Sequence, residues 1–168
     1  MTKESNREAA VEFLCKSFTL SPQEFEAVNR EKRKAVASGK KDLDFWLEYA
    51  KQKNISLPKD WESSWNRVMK EAIGINHDMY DLVLALKGKG IPIALLSNID
   101  DRLARIIRDF NLYAPFDPCF LSCEIGLEKP DPKIYEFLLK EMDLPAASIV
   151  FISQNQLQKE LKKRGLFS

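Results

Sequence analysis

The sequence has one histidine, three cysteines, no long apolar run and almost no net charge. Its 26 Lys+Arg are set against 25 Asp+Glu, for a formal charge of +1. A near-neutral chain carries no global field to draw nucleic acid or an anionic membrane, so partners are expected to be recognised locally. The single histidine, His77, lies in Asn76-His77-Asp78 at the start of an expected helix. With no second histidine it is read as an exposed first-turn residue and not as a metal ligand. Cys15, Cys119 and Cys123 form an odd set with no CxxC pair, which excludes a disulfide framework and a zinc site. Buried reduced thiols are expected. Cys119 and Cys123 fall on a predicted strand, where their spacing spans about 13 Å and cannot be bridged. No basic start leads into an apolar signal segment, and no run approaches the length that crosses a bilayer. These features predict a cytoplasmic chain without a membrane anchor.

At 168 residues there is room for one core, or a core with a small appended module. Residues 1–75 read as helical throughout. Ala9, Val11, Phe13, Leu14 and Phe18 give a short apolar stripe. Ser21-Pro22-Gln23-Glu24 combines an N-cap serine, a proline at the first helical position and a capping-box glutamate, and Gly39 closes that helix. Asp42 is expected to cap a third helix carrying Phe45, Trp46, Leu47 and Tyr49, and Pro58 to open a fourth carrying Trp61, Trp65, Val68 and Met69. The aromatic spacing predicts core in preference to a ligand pocket. Arg30, Lys32, Arg33, Lys34, Lys40 and Lys41 are interleaved with Glu24, Glu26, Glu31 and Asp42, which predicts a solvated helix face.

From residue 76 helix and strand alternate, the pattern of a parallel α/β unit. Asn76 starts a helix through Leu82, Val83, Leu84 and Leu86. The run Ile91 to Leu96 predicts a strand covered on both faces, and Asp100 caps the helix that follows. Phe120 to Ile125 reads as a second strand, Asp131-Pro132 as a helix start, and Ser148 to Ile152 as a third strand before a last helix with Leu157 and Leu161. Ligands of such sheets bind beyond the carboxyl ends of the strands. Ser97-Asn98 therefore offers a hydroxyl and an amide beside a helix N-terminus, which suits an anion. Gly126-Leu-Glu-Lys129-Pro-Asp131-Pro offers one lysine on a loop stiffened by two prolines. The third exit, Ser153-Gln154-Asn155-Gln156, has no acid of the kind magnesium prefers.

Leu95-Leu96-Ser97-Asn98, then Leu121-Ser-Cys-Glu-Ile-Gly-Leu-Glu-Lys129-Pro-Asp-Pro-Lys-Ile-Tyr135, then Ile149-Val-Phe-Ile152, resemble the haloacid dehalogenase-like (HAD) hydrolase superfamily, in its branch with a small helical cap. The resemblance implies an α/β fold in which an incomplete Rossmann-like parallel sheet, residues 76–168, carries an N-terminal helical cap, residues 1–75. It also implies that Ser97 matches the hydroxyl that bonds a transferring phosphoryl group, and that Lys129 matches the lysine that neutralises charge around it. Asn98 follows the hydroxyl as in the family. The family's first motif, an Asp-x-Asp whose first aspartate is the nucleophile, has no counterpart, since Met1 to Ala10 offers neither apolar strand nor aspartate. Its fourth motif supplies acids for magnesium, and Ser153 and Gln154 stand there.

The family's magnesium is accordingly not expected to be held by this chain. A small anionic ligand at Ser97, Asn98 and Lys129 is. Three functions follow: a family member impaired or inactive as this chain, a hydrolase in which Asp100, Asp101 or Asp131 stands in for the missing acids, or a non-catalytic module that engages a protein or itself through an open sheet edge. The family's first strand lies between the strand ending at Ser97 and the one ending at Ile152. Residues 91–97 and 148–153 are therefore expected to become neighbours or to expose an edge.

Overall fold

The computed structural model describes residues 7–152. Four helices come first: α1 (Arg7–Phe18), α2 (Pro22–Ala37), α3 (Asp42–Gln52) and α4 (Trp61–Ala72). The capping box forms as expected, with Ser21 Oγ accepting from the Glu24 amide at 3.3 Å and Glu24 Oε2 accepting from the Ser21 amide at 2.8 Å. Gly39 reverses the chain after α2 at φ +93°, a conformation costly for any residue with a Cβ. Two helix starts differ from expectation. Lys41 takes the N-cap position of α3 and Asp42 is its first helical residue, because the Asp42 carboxylate is drawn into the interior. Pro58 begins only a turn, its carbonyl accepting from the Trp61 amide at 3.0 Å, so α4 starts three residues later.

The apolar stripes of these helices meet in one core built on Leu14, Phe18, Phe25, Trp46, Trp61 and Trp65. Phe18 is its hub, stacked on Trp46 at 5.0 Å and edge-on to Trp61 at 5.7 Å. The aromatics are core, as their spacing predicts.

Then follow α5 (His77–Gly88), β1 (Leu95–Ser97), α6 (Asp101–Asp109), β2 (Cys119–Leu121), α7 (Ser122–Ile125) and α8 (Pro132–Met142), with a 3-10 turn at Ala146–Ser148. Side-chain caps set the helix starts: Asn76 on Met79, Asp100 on Leu103, Asp131 on Lys133. β1 and β2 pair in parallel, Leu95 with Cys119, Leu96 with Phe120 and Ser97 with Leu121. Leu121 and Ile134 are wholly buried beneath the pair.

The strands are shorter than the sequence suggests. The run from Ile91 narrows to Leu95–Ser97, half-buried and not covered on both faces, with Ile91 exposed and Pro92 lacking an N–H to pair. β2 ends at Leu121, because Ser122 Oγ both accepts from the Ile99 amide at 2.9 Å and donates to its carbonyl at 3.1 Å, turning the chain into α7. Cys123 therefore sits on a helical turn and not on the strand of Cys119. All three cysteines are free and half-buried, where full burial was expected.

The expected third strand is also corrected. Among the described residues nothing pairs with Ile149–Ile152, and Val150, Phe151 and Ile152 are 83, 50 and 53% exposed. Among the described residues β1 keeps one unpaired edge. Leu95 N and Ile93 O bond toward β2, so alternation turns the Leu96 carbonyl to the other edge, where Lys129 Nζ donates to it at 2.8 Å. Lys129 also lies over the Phe151 ring at 5.9 Å. That side chain stands where direct pairing of the two segments would put a ladder. Residue 153 of the expected strand, the helix around Leu157 and Leu161, and the altered motif at Ser153 and Gln154 lie outside the described residues.

Candidate functional site

The two strand exits are tied together by one amide. Asn98 Nδ2 donates to the Lys129 carbonyl at 2.7 Å and Asn98 Oδ1 accepts from the Lys129 amide at 2.8 Å. This two-point clamp brings Ser97, Asn98 and Lys129 to the same end of the sheet. Ser97 Oγ makes no hydrogen bond among the described residues. Among the described residues the Lys129 ammonium has one carbonyl and one ring face as neighbours and no carboxylate partner, and burial pushes it down from the usual lysine range.

Beneath this end lies a buried ion network that charge counting did not reveal. Asp42, 1% exposed, receives Arg102 Nε at 2.9 Å, Lys32 Nζ at 3.3 Å, Trp46 Nε1 at 3.2 Å and Trp65 Nε1 at 3.3 Å. Lys32 Nζ also reaches Asp100 at 2.8 Å, and Arg102 Nη1 donates to Asn66 Oδ1. Asp101 Oδ1 accepts from the Asp42 amide at 2.9 Å. Two cations face two anions, and every one is multiply bonded, which is the condition under which buried charge is tolerated. The network joins α2, α3 and α4 to α6, so it fixes the bundle on the α/β part. Lys32 does not belong to a solvated face. Its side chain is only 12% exposed.

The network makes stability depend on pH at both ends. Burial pushes the Asp100 carboxyl up, but the charge and hydrogen bond of Lys32, the Leu103 amide and Arg102 outweigh it, leaving the carboxyl below its ordinary value. Burial pushes Lys32 down, but Asp100 and Asp42 outweigh it, leaving the ammonium above its ordinary value. The Asp100 contribution is therefore complete above an unfolded-state value of about 3.9 and lost as pH falls through the lower folded value. The Lys32 contribution is complete below about 10.4 and lost as pH rises through the higher folded value. Melting temperature should be level between about pH 5 and 9 and fall on either side. In Lys32→Met the alkaline fall should shrink; an unchanged alkaline limb would contradict the assignment.

Between the bundle and the strand exits is a cavity of about 560 Å³. Its lining mixes apolar residues, Val11, Leu14, Val36, Met69 and Ile73, with the polar Asn98, Lys129, Ser122 and Glu128. Trp46 and Trp65 belong to the core and also line it.

Asn98 and Lys129 were visible in the sequence because they follow apolar runs. Asp42 and Arg102 were missed. An acid one helical turn before Trp46, and an arginine one turn before buried Ile106, were the available signals, since charge on an apolar face requires a partner.

A parallel strand pair whose exits carry Ser97-Asn98 and Lys129 faces a helical bundle across a cavity, an α/β core with a helical cap. The chain belongs to the haloacid dehalogenase-like hydrolase family, whose model matches residues 4–155. Among its relatives, (S)-2-haloacid dehalogenase 1 of Pseudomonas sp. (strain CBS-3) is 36% identical over 72 residues, covering 42% of this chain and 32% of its own. Sesquiterpene phosphatase astK of Aspergillus oryzae is 33% identical over 75 residues, covering 44% and 38%. Bifunctional epoxide hydrolase 2 of Sus scrofa is 32% identical over 111 residues, covering 61% and 20%. The matched segments thus span between a fifth and two fifths of these relatives' lengths.

Among the described residues the donors do not fit the family's magnesium, since no three His, Cys, Asp or Glu groups converge. Of the two carboxylates on the cavity wall, Asp100 is bound to Lys32 and the Leu103 amide, which leaves Glu128. Among the described residues no helix is long and apolar enough to cross a membrane.

Proposed function

We propose that this chain is a HAD-like hydrolase family member that is catalytically impaired as it stands. Its helical residues 1–75 cap an α/β core of 76–168, and Ser97, Asn98 and Lys129 keep a place for a small anion. The observation that carries this reading is the state of the three carboxylates that would have to stand in for the family's acids. Asp100 is held by Lys32 and the Leu103 amide. Asp101 accepts from the Asp42 amide and faces Arg105 at 3.7 Å. Asp131 caps α8. A nucleophile or general base needs a lone pair free to meet substrate; both oxygens of Asp100 are engaged, while Asp101 and Asp131 each give one oxygen, Oδ1, to the fold. Among the described residues no base is hydrogen-bonded to Ser97, and in the sequence Ser153 and Gln154 offer no carboxylate.

The relatives' names make a phosphate monoester and a 2-haloacid the two substrates to try. With p-nitrophenyl phosphate and magnesium, and separately with 2-chloropropionate, turnover should match buffer alone. Magnesium-dependent turnover abolished by Lys129→Ala would overturn this reading in favour of stand-in acids.

One observation favours a second reading, a non-catalytic module that engages a protein or a second copy: among the described residues β1 has an unpaired edge, and Val150-Phe151-Ile152 is exposed. A concentration-independent monomer mass in solution would count against self-association.

A further inference from the structure

We propose that Lys129 guards the free edge of β1: its ammonium, seated on the Leu96 carbonyl, keeps that edge from adding a strand of a second copy of this chain. The proposal rests on the edge noted for the second reading and goes beyond it, because it assigns what holds that edge closed to self-pairing. It needs neither a ligand nor turnover.

The described sheet has two strands, and β1 bonds toward β2 through Leu95 N and Ile93 O. Backbone groups alternate along a strand, so the N–H and C=O groups of Ala94 and Leu96 lie along the opposite edge. Such a row is a template for another chain. A two-fold axis sets the same row of a second molecule against it, antiparallel, so the edge is complementary to itself. Composition favours that pairing. Ile91, just before β1, and Val150, Phe151 and Ile152 are exposed apolar residues of the kinds that strands prefer.

Against this stands one side chain. Lys129 Nζ donates to the Leu96 carbonyl at 2.8 Å and lies over the Phe151 ring at 5.9 Å. Asn98 pins the Lys129 backbone at both its N–H and its C=O, so the ammonium reaches the edge from a fixed point. The Leu96 carbonyl is the middle acceptor of a strand that runs only from Leu95 to Ser97. An incoming strand would bring an N–H to that carbonyl and meet an ammonium already there. Sharing the acceptor puts a charge between two backbones, and displacing the ammonium leaves its donors unsatisfied against a closed ladder. A lysine turned onto a strand edge is one of the devices that keep sheets from joining.

The full chain is compared with Lys129→Met, which removes the charge and keeps the length, with Lys129→Arg, which keeps a cation, and with Lys133→Met, which removes an exposed lysine four residues further on. Sedimentation velocity over a wide range of concentration reads association, and amide hydrogen exchange reads where it occurs. The unaltered chain, Lys129→Arg and Lys133→Met should stay monomeric. Lys129→Met should self-associate with a dissociation constant lower by about tenfold to a hundredfold, the worth of a donor no longer left unpaired at the interface. In the associated form the Ala94 and Leu96 amides should become protected. Lys129→Ala removes the same ammonium and should behave as Lys129→Met, so the result does not hang on the folding of one variant.

A Lys129→Met chain that stays monomeric, or that associates no more than Lys133→Met, would overturn the guard. Association that leaves the Ala94 and Leu96 amides unprotected would overturn the edge as its site. An unaltered chain that pairs through those two amides would overturn the guard while sustaining the second reading.

Discussion

Asp42→Ala should lower folding stability by about 3–5 kcal/mol, the cost of removing one partner from a buried charge network. The carboxylate accepts from Arg102, Lys32 and the indoles of Trp46 and Trp65. Alanine would leave Arg102 with Asn66 and Lys32 with Asp100, and both indole N–H groups without an acceptor in a site closed to water. For a domain of this size the midpoint should fall by roughly 10 °C or more. Because the network ties α3 and α4 to α6, the same substitution should loosen the bundle from the α/β part and make cleavage by a protease at low dose more rapid. Asp42→Ala combined with Arg102→Leu should cost less than the sum of the two, since each removes the charge the other leaves stranded. A loss below about 1 kcal/mol, the range of an exposed pair, would contradict the network.

Trp46→Ala should cost a similar amount, about 3–5 kcal/mol, by a different route. Trp46 is 1% exposed and touches Phe18 at 5.0 Å, Phe45 at 5.3 Å and Tyr49 at 6.2 Å. Truncation removes the transfer free energy of the largest buried side chain and opens a void that rings on three sides cannot close. It also deprives Asp42 of one donor, so it should not be additive with Asp42→Ala. Chemical denaturation of both single variants and the double variant checks magnitude and coupling together. Additivity within about 0.5 kcal/mol would mean that the indole and the carboxylate act independently, against the hydrogen bond between them.

What could be read from the sequence was local. The Ser21 box, the Asn76, Asp100 and Asp131 caps and the proline after Asp131 each depend on residues within four positions, and each helix start they set is found. Ser97, Asn98 and Lys129 were legible because polar residues after apolar runs mark strand exits. Strand length was not, since a strand exists only where a partner offers N–H and C=O groups, and Ile149–Ile152 has the composition without a partner among the described residues. Lys32 shows the same limit for charge. The interleaved acids Glu24, Glu26, Glu31 and Asp42 suggest a solvated face, while the structure buries Lys32 between one of them, Asp42, and Asp100, 68 positions away.

The account rests on a cavity that holds an anion without transforming it. A single phosphorus-31 resonance experiment on octyl phosphate with equimolar protein and magnesium tests both halves. The account predicts that the ester signal shifts or broadens on adding protein, returns when inorganic phosphate is added in large excess, and yields no inorganic phosphate over hours. An inorganic phosphate signal growing at the expense of the ester, and absent with Lys129→Ala, would contradict it.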